Sequence, residues 1–156
     1  MISLSALFAY SRWADARLLP YLQPVYADDA YTQRLMSHVV IAQAVWLDRI
    51  AQVPLRYTDF FQVLPWPDLI ALERETTEAL IQLPQRLDAG ALAAPLEHSN
   101  AEGRVFRIPL EEVLFHVANH GTHHRAQLLS QLRRLGHTPP DLSFILYARE
   151  QHAPSA

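Results

Sequence analysis

The stretch that decides the fold is residues 109–136, PLEEVLFHVANHGTHHRAQLLSQLRRLG. Its apolar residues recur every three or four positions, which predicts one long amphipathic helix. Two glutamates follow the opening proline and two arginines precede Gly136, so both ends carry the charges that stabilise a helix dipole. About 27 residues, each rising 1.5 Å, give a predicted helix roughly 40 Å long.

Three earlier segments have the same helical periodicity, and prolines separate them. Proline disrupts a helix interior, so each segment is predicted to end before one. The predicted ranges are residues 3–19, 32–53 and 65–83, which precede Pro20, Pro54 and Pro84. Asp28, Asp29 and Thr32 are candidates for the N-cap of the second helix.

The segment between the third and fourth helices differs from the rest of the chain. Residues 95–97 and 104–108 have strand character, and the polar run between them contains Gly103, which favours a turn. We therefore predict a short β-hairpin before the last helix. The whole chain is predicted to be all-α, a four-helix bundle with this hairpin insertion, in a single domain over residues 1–156.

Composition and charge argue against several classes of function. The net charge of −3 disfavours nucleic acid as a partner, because phosphate backbones require a basic surface. The chain contains no cysteine, which excludes disulfides, thiolate nucleophiles and cysteine metal sites. No apolar run reaches the roughly 18 residues of a membrane span, and residues 1–10 lack the pattern of a signal peptide. We therefore expect a cytoplasmic protein that binds neither nucleic acid nor membrane.

Histidine is the anomalous residue type, since four of the 8 histidines fall within residues 116–124. His120 and His124 are four positions apart, so they share one helix face and can bind one metal ion together. They lie at roughly 80° and 40° from the middle of the apolar stripe. His116 and His123 lie more than about 100° from it and are expected to face solvent or a partner chain. No glutamate follows His120, which disfavours a zinc protease.

His38 is the best candidate for a third ligand. It lies on the apolar face of the second predicted helix, where a polar ring requires a partner. A hydrogen-bonded core histidine is the alternative and, for a lone histidine, the commoner one. Three histidines from two helices would leave an open coordination position, which is typical of a catalytic site. Zinc, nickel, copper and iron all accept imidazole nitrogen.

Motifs along nearly the whole chain point to one family. They are YSRWADARL at residues 10–18, Ser37-His38 with Trp46, HVANHGTHHRAQ at residues 116–127, and the tail of residues 135–147. In this combination the chain resembles the DinB/YfiT-like superfamily. The resemblance implies a four-helix bundle and a divalent metal site, usually zinc or nickel, formed by His38, His120 and His124.

The resemblance also implies a class of reaction. The superfamily includes transferases and isomerases that use a low-molecular-weight thiol, so we expect a metal-dependent enzyme with a small-molecule substrate, and first a thiol-dependent transferase. Hydrolysis by a metal-bound hydroxide is the alternative. A third interpretation is a non-catalytic metal-binding stress-response protein or a dimeric interaction module. No residue stands out as a catalytic base.

Five further positions carry weaker predictions. Arg125 either contacts an anionic substrate or forms a structural ion pair, and we favour the ion pair. Asn119 either supports a ligand ring or is simply exposed. Trp46 is expected to pack in the core rather than form a pocket wall. Trp13 and Asp15 are expected to attach the first helix to the bundle.

Two segments bear on assembly. The tail of residues 141–147 is expected either to pack over the site or to dock on a partner subunit. Apolar residues near Phe60 and Phe61 suggest an outer face that self-associates, so we expect a homodimer, although single exposed apolar residues are common.

Overall fold

The computed structural model describes residues 3–100 and 102–153. Its helices are α1 (Leu4–Tyr26), α2 (Ala30–Ile50), α3 (Trp66–Gln82), α4 (Ala89–Ala93), α5 (Leu110–Arg134) and α6 (Phe144–Gln151). Strands β1 (Pro95–Ser99) and β2 (Val105–Pro109) form an antiparallel hairpin before α5, and a 3₁₀ turn, Leu83–Arg86, follows α3. The prediction of a mainly helical chain with this hairpin is confirmed. Ala101, in the predicted hairpin turn, lies outside the described residues, as do residues 1–2 and 154–156.

The four long helices α1, α2, α3 and α5 enclose the main core. Helices α1 and α2 each pack against both α3 and α5. One fully buried aliphatic side chain from each long helix illustrates the interior: Leu18, Ile41, Leu69 and Leu128. Burial of such side chains is the main stabilising contribution to the fold, at about 1.5–3 kcal/mol for each. This packing holds α2 and α5 side by side, which places residues of the two helices opposite one another.

Helix α1 is longer than predicted, because it continues through Pro20 and Pro24 to Tyr26. The prediction that Pro20 ends this helix is wrong. Both prolines are exposed, whereas Leu22 and Tyr26 are buried. Tyr26 also donates a hydrogen bond from its hydroxyl to the Leu64 carbonyl at 2.7 Å. Burial of the last turn therefore offsets the backbone hydrogen bond that a proline removes.

Helix α2 begins one residue after Asp29, whose carboxylate accepts a hydrogen bond from the Thr32 amide at 2.8 Å. Asp29 is thus the N-cap among the three candidates. The helix ends at Ile50 rather than at residue 53, because Gln52 adopts a left-handed φ of 56° that interrupts the helix. A loop then leads to α3 and carries Phe60 and Phe61 towards α2.

Sequence periodicity did not reveal α4 or α6, since helices of five and eight residues give too little repetition. Helix α6 packs on α1 of the same chain, where the Trp13 indole donates to Glu150 at 2.7 Å. The Tyr10 hydroxyl donates to the Leu142 carbonyl at 2.7 Å. The C-terminal segment from Leu142 to Glu150 therefore docks on α1 of the same chain, where Tyr10 and Trp13 hold it. No helix among the described residues is long and apolar enough to cross a membrane.

Candidate metal centre

His38 on α2 and His120 and His124 on α5 lie together between the two helices. The Nε2 atom of His120 is 3.1 Å from the Nε2 atom of His38 and 3.1 Å from that of His124. All three side chains are partly buried, and their ligand atoms lie within 4.8 Å of one another. The structure thus brings together three histidines that are up to 86 positions apart in the sequence, from 38 to 124.

Hydrogen bonds at Nδ1 orient two of the three rings. His38 donates from Nδ1 to the carbonyl oxygen of Phe60 at 2.9 Å. His124 donates from Nδ1 to the Oε1 atom of Gln127 at 2.7 Å. Because these oxygens can only accept, the ring proton of each histidine is on Nδ1. The Nε2 atoms of both rings therefore carry lone pairs directed at His120.

This donor set fits a divalent metal ion. Two imidazole nitrogens at about 2.05 Å from a tetrahedral ion are about 3.3 Å apart, close to the two separations of 3.1 Å. Without a metal ion, a proton on His120 Nε2 can be donated to the lone pair of only one neighbour, His38 or His124. A cation between the rings would instead accept the lone pairs of all three Nε2 atoms. The ordered Nδ1 partners match the supporting contacts that metal-binding histidines normally have.

The surroundings favour neutral imidazole rings. Burial, together with the neighbouring rings of His124 and His38, lowers the pKa of His120 to about 3. Burial also lowers the pKa of His124, against the opposing effect of its hydrogen bond with Gln127. Metal binding requires unprotonated nitrogens. At neutral pH, protons therefore compete little with a metal ion at His120 and His124.

Aromatic rings flank the cluster along both helices. Phe61 stacks on His38, with ring centroids 4.1 Å apart and planes inclined by 9°. His116 lies one turn before His120, with its ring 5.6 Å from the His120 ring and 5.7 Å from the Trp46 ring. Trp46 itself is partly buried and packs against a second, smaller apolar cluster, which includes Phe8 and Leu114. Trp46 is therefore both a core residue and one end of a row of aromatic rings, which we call the aromatic wall. This row consists of Phe61, His38, His120, His116 and Trp46.

The remaining predictions around the histidines have mixed outcomes. His116 and His123 are exposed, as predicted. Asn119 is exposed too and lines a cavity on another face of α5, so it does not support a ligand ring. Gln127 provides that support instead. It is not among the predicted site residues, although its position three residues after His124 puts both side chains on one helix face. The carbonyl of Phe60 had no sequence signal, because it belongs to the backbone of a loop.

Arg125 points away from the three histidines and into the interior. Its guanidinium donates to both carboxylate oxygens of Asp15 on α1, at 2.7 and 3.0 Å. Gly121 leaves room for it, since a Cβ atom there would lie 3.2 Å from Arg125 Nη2. The favoured interpretation of Arg125 as a structural ion-pair partner is therefore correct, and Asp15 attaches α1 to α5 as predicted.

Comparison with known proteins agrees with the geometry and the motifs. The family model described as DinB family matches residues 5–155. The chain belongs to the DinB family. This DinB-family chain is also 23% identical over 161 residues to Protein DinB of Bacillus subtilis (strain 168), a match that covers 90% of the chain and 91% of that protein. No solved structure matches the chain significantly.

If the three histidines bind zinc, Gln127→Leu is expected to lower the affinity about 10- to 100-fold, because His124 loses the acceptor that orients its ring. Competition with a chromophoric chelator measures this affinity. Gln131→Leu is the matched control on the same helix, since Gln131 donates to Asp29 at 3.0 Å instead of contacting a histidine. Equal losses of affinity in the two variants would show that the contact with His124 has no specific effect.

Proposed function

We propose that this DinB-family chain binds one divalent metal ion through His38, His120 and His124. The observation that carries the proposal is that His120 Nε2 lies 3.1 Å from the Nε2 atoms of both His38 and His124, whose Nδ1 protons are held by oxygen acceptors. Zinc and nickel are the favoured metals, because the resemblance to the DinB/YfiT-like superfamily implies one of them and both accept imidazole nitrogen. We also propose that α1, α2, α3 and α5 form a four-helix bundle, whose packing fixes the spacing of the ligands.

The proposed reaction is the transfer of a low-molecular-weight thiol to a small electrophile. Three protein ligands leave a coordination position for an added group, as in catalytic zinc sites. A bound metal would lower the pKa of a thiol or of water at that position. The chain has no cysteine of its own. The sulfur nucleophile would therefore come from a cosubstrate.

The surroundings of the histidines suit a cosubstrate that carries carboxylates. The Arg34 guanidinium lies 4.9 Å from the centre of the Phe61 ring, which itself stacks on His38. The Arg49 guanidinium lies 4.7 Å from the centre of the Trp46 ring, at the opposite end of the aromatic wall. Cations at both ends of the site would attract an anionic molecule such as a peptide thiol. The aromatic faces between them offer apolar contact for the electrophile.

Hydrolysis is the second candidate, because His116 is exposed and its ring lies 5.6 Å from the His120 ring. A histidine next to a metal site can accept the proton of an attacking water. Turnover of an ester or amide without added thiol would favour this candidate over thiol transfer.

The test is an assay of zinc- and nickel-loaded protein with glutathione, bacillithiol and mycothiol against a panel of electrophiles. We expect thiol consumption that depends on the metal and is lost in His120→Ala. His137→Ala is the matched control, since His137 is exposed beyond the end of α5, and it should retain activity. Metal binding without turnover on any thiol, ester or amide substrate would contradict the enzymatic proposal and favour a non-catalytic metal-binding protein.

A further inference from the structure

A second surface lies on the flank of α5 that faces away from the histidines. Five positions spaced along this flank define what we call the α5 stripe: Glu111, Phe115, Thr122, Leu129 and Arg133. At 100° per residue their common direction is roughly 160° from that of His120. The Phe115 side chain is 57% exposed. All of the stripe except Glu111 lines a cavity of about 600 Å³ between α5, α1 and residues 139–144.

The α5 stripe is complementary to itself in the antiparallel direction. Phe115 and Leu129 lie at equal distances along the helix on either side of Thr122, and so do Glu111 and Arg133. A two-fold axis at Thr122 therefore pairs Phe115 with the partner's Leu129 and Glu111 with the partner's Arg133. Both classes of pair are favourable, one apolar and the other of opposite charge.

We propose that the protein forms a homodimer in which α5 packs antiparallel against α5 of a second copy, about a two-fold axis at Thr122. Such an interface is isologous, so each stabilising pair occurs twice. Glu111 and Arg133 form no salt bridge within the described part of the chain, which leaves both charges available to a partner. Ala126, between the larger residues of the stripe, is small and exposed, which allows the two helices to approach closely.

The cavity provides the space that this packing requires. Its lining is mainly apolar and includes Leu129 together with Pro139 and Pro140. Under the proposed symmetry, the partner's Phe115 enters the cavity at this point. Thr122 and Ala126, which line the cavity, are exposed, so the cavity is open to solvent where the partner's helix would pack. The occupant that this surface fits is thus a second copy of the chain.

The absence of cysteine allows a direct test by crosslinking. Thr122→Cys places one thiol of each chain at the proposed axis. Diamide, which takes up two electrons and two protons from a pair of thiols, is expected to convert this variant to a disulfide-linked dimer on a non-reducing gel. Ser130→Cys is the matched control, exposed on a different face of α5, and should remain a single chain. Absence of the Thr122→Cys crosslink, or equal crosslinking of both variants, would overturn the proposal.

Charge reversal tests the pairing by an independent measurement. Glu111→Arg and Arg133→Glu should each raise the dimer dissociation constant at least about tenfold, because each change places like charges together twice. The double variant should restore the dimer. Glu112→Arg and Arg134→Glu, next to the stripe on another face, are the controls. Sedimentation equilibrium of the full chain measures the dimer dissociation constants. A wild type that is monomeric at tens of micromolar would overturn the proposal. An equal change of the constant in the stripe variants and the control variants would overturn it too.

Discussion

His120→Ala is expected to lower the affinity of the protein for zinc at least about 100-fold. Structural zinc sites with four ligands stabilise by about 10–16 kcal/mol, which is about 3 kcal/mol for each ligand and a factor of about 100 in affinity. His120 is the central member of the cluster, with its Nε2 atom 3.1 Å from those of His38 and His124. Its loss would leave only two of the three converging nitrogens. Chelator competition and elemental analysis of protein purified without a histidine tag measure the effect.

The matched controls are His116→Ala and His123→Ala, each of which removes an exposed histidine from the same helix. Both variants should retain stoichiometric metal, because neither ring is part of the group of three converging nitrogens. Similar losses of zinc in the controls would mean that the density of histidines, rather than their geometry, binds the metal. Full retention of metal in His120→Ala would overturn the proposed site. Circular dichroism checks that each variant is folded.

The last long helix shows how far periodicity alone predicts this fold. Residues 109–136 were predicted to form it, and α5 covers Leu110–Arg134, because its apolar spacing and its terminal charges indicate the same element. The rule that proline ends a helix failed at Pro20. That rule considers only the local backbone, whereas Leu22 and Tyr26 beyond the proline are buried in the core. Packing between distant segments overrode the local preference.

The candidate site was predictable where helix faces determine it and unpredictable where loops do. The positions of His38, His120 and His124 on apolar helix faces, with the family resemblance, were enough to select the residues that the structure brings together. The contact between His38 and the Phe60 carbonyl depends on the path of the loop after α2, which no local pattern specifies. Phe61, on the same loop, stacks on His38, and the self-associating face near it stays a prediction.

Arg125→Met is expected to lower the free energy of unfolding by about 3–5 kcal/mol, the typical effect of breaking a buried ion pair. Arg125 and Asp15 are only 2% and 1% exposed. Removal of the guanidinium leaves the Asp15 carboxylate without the donors that now bind both of its oxygens. The effect extends to Glu73, whose pKa is raised by burial and by the charge of Asp15 and lowered by Arg125. Urea unfolding followed by circular dichroism measures the loss.

Two further variants separate the cost of an unpaired charge from the loss of a contact. Arg17→Met makes the same substitution in a partly exposed ion pair with Glu150 and should cost less than about 1 kcal/mol. Asp15→Leu combined with Arg125→Met removes both charges and should recover most of the stability, since apolar side chains replace buried ion pairs at little or no cost. A double variant as unstable as Arg125→Met would mean that shape at this position, and not charge pairing, joins α1 to α5. A loss in Arg125→Met no larger than that in Arg17→Met would contradict the structural role of the pair.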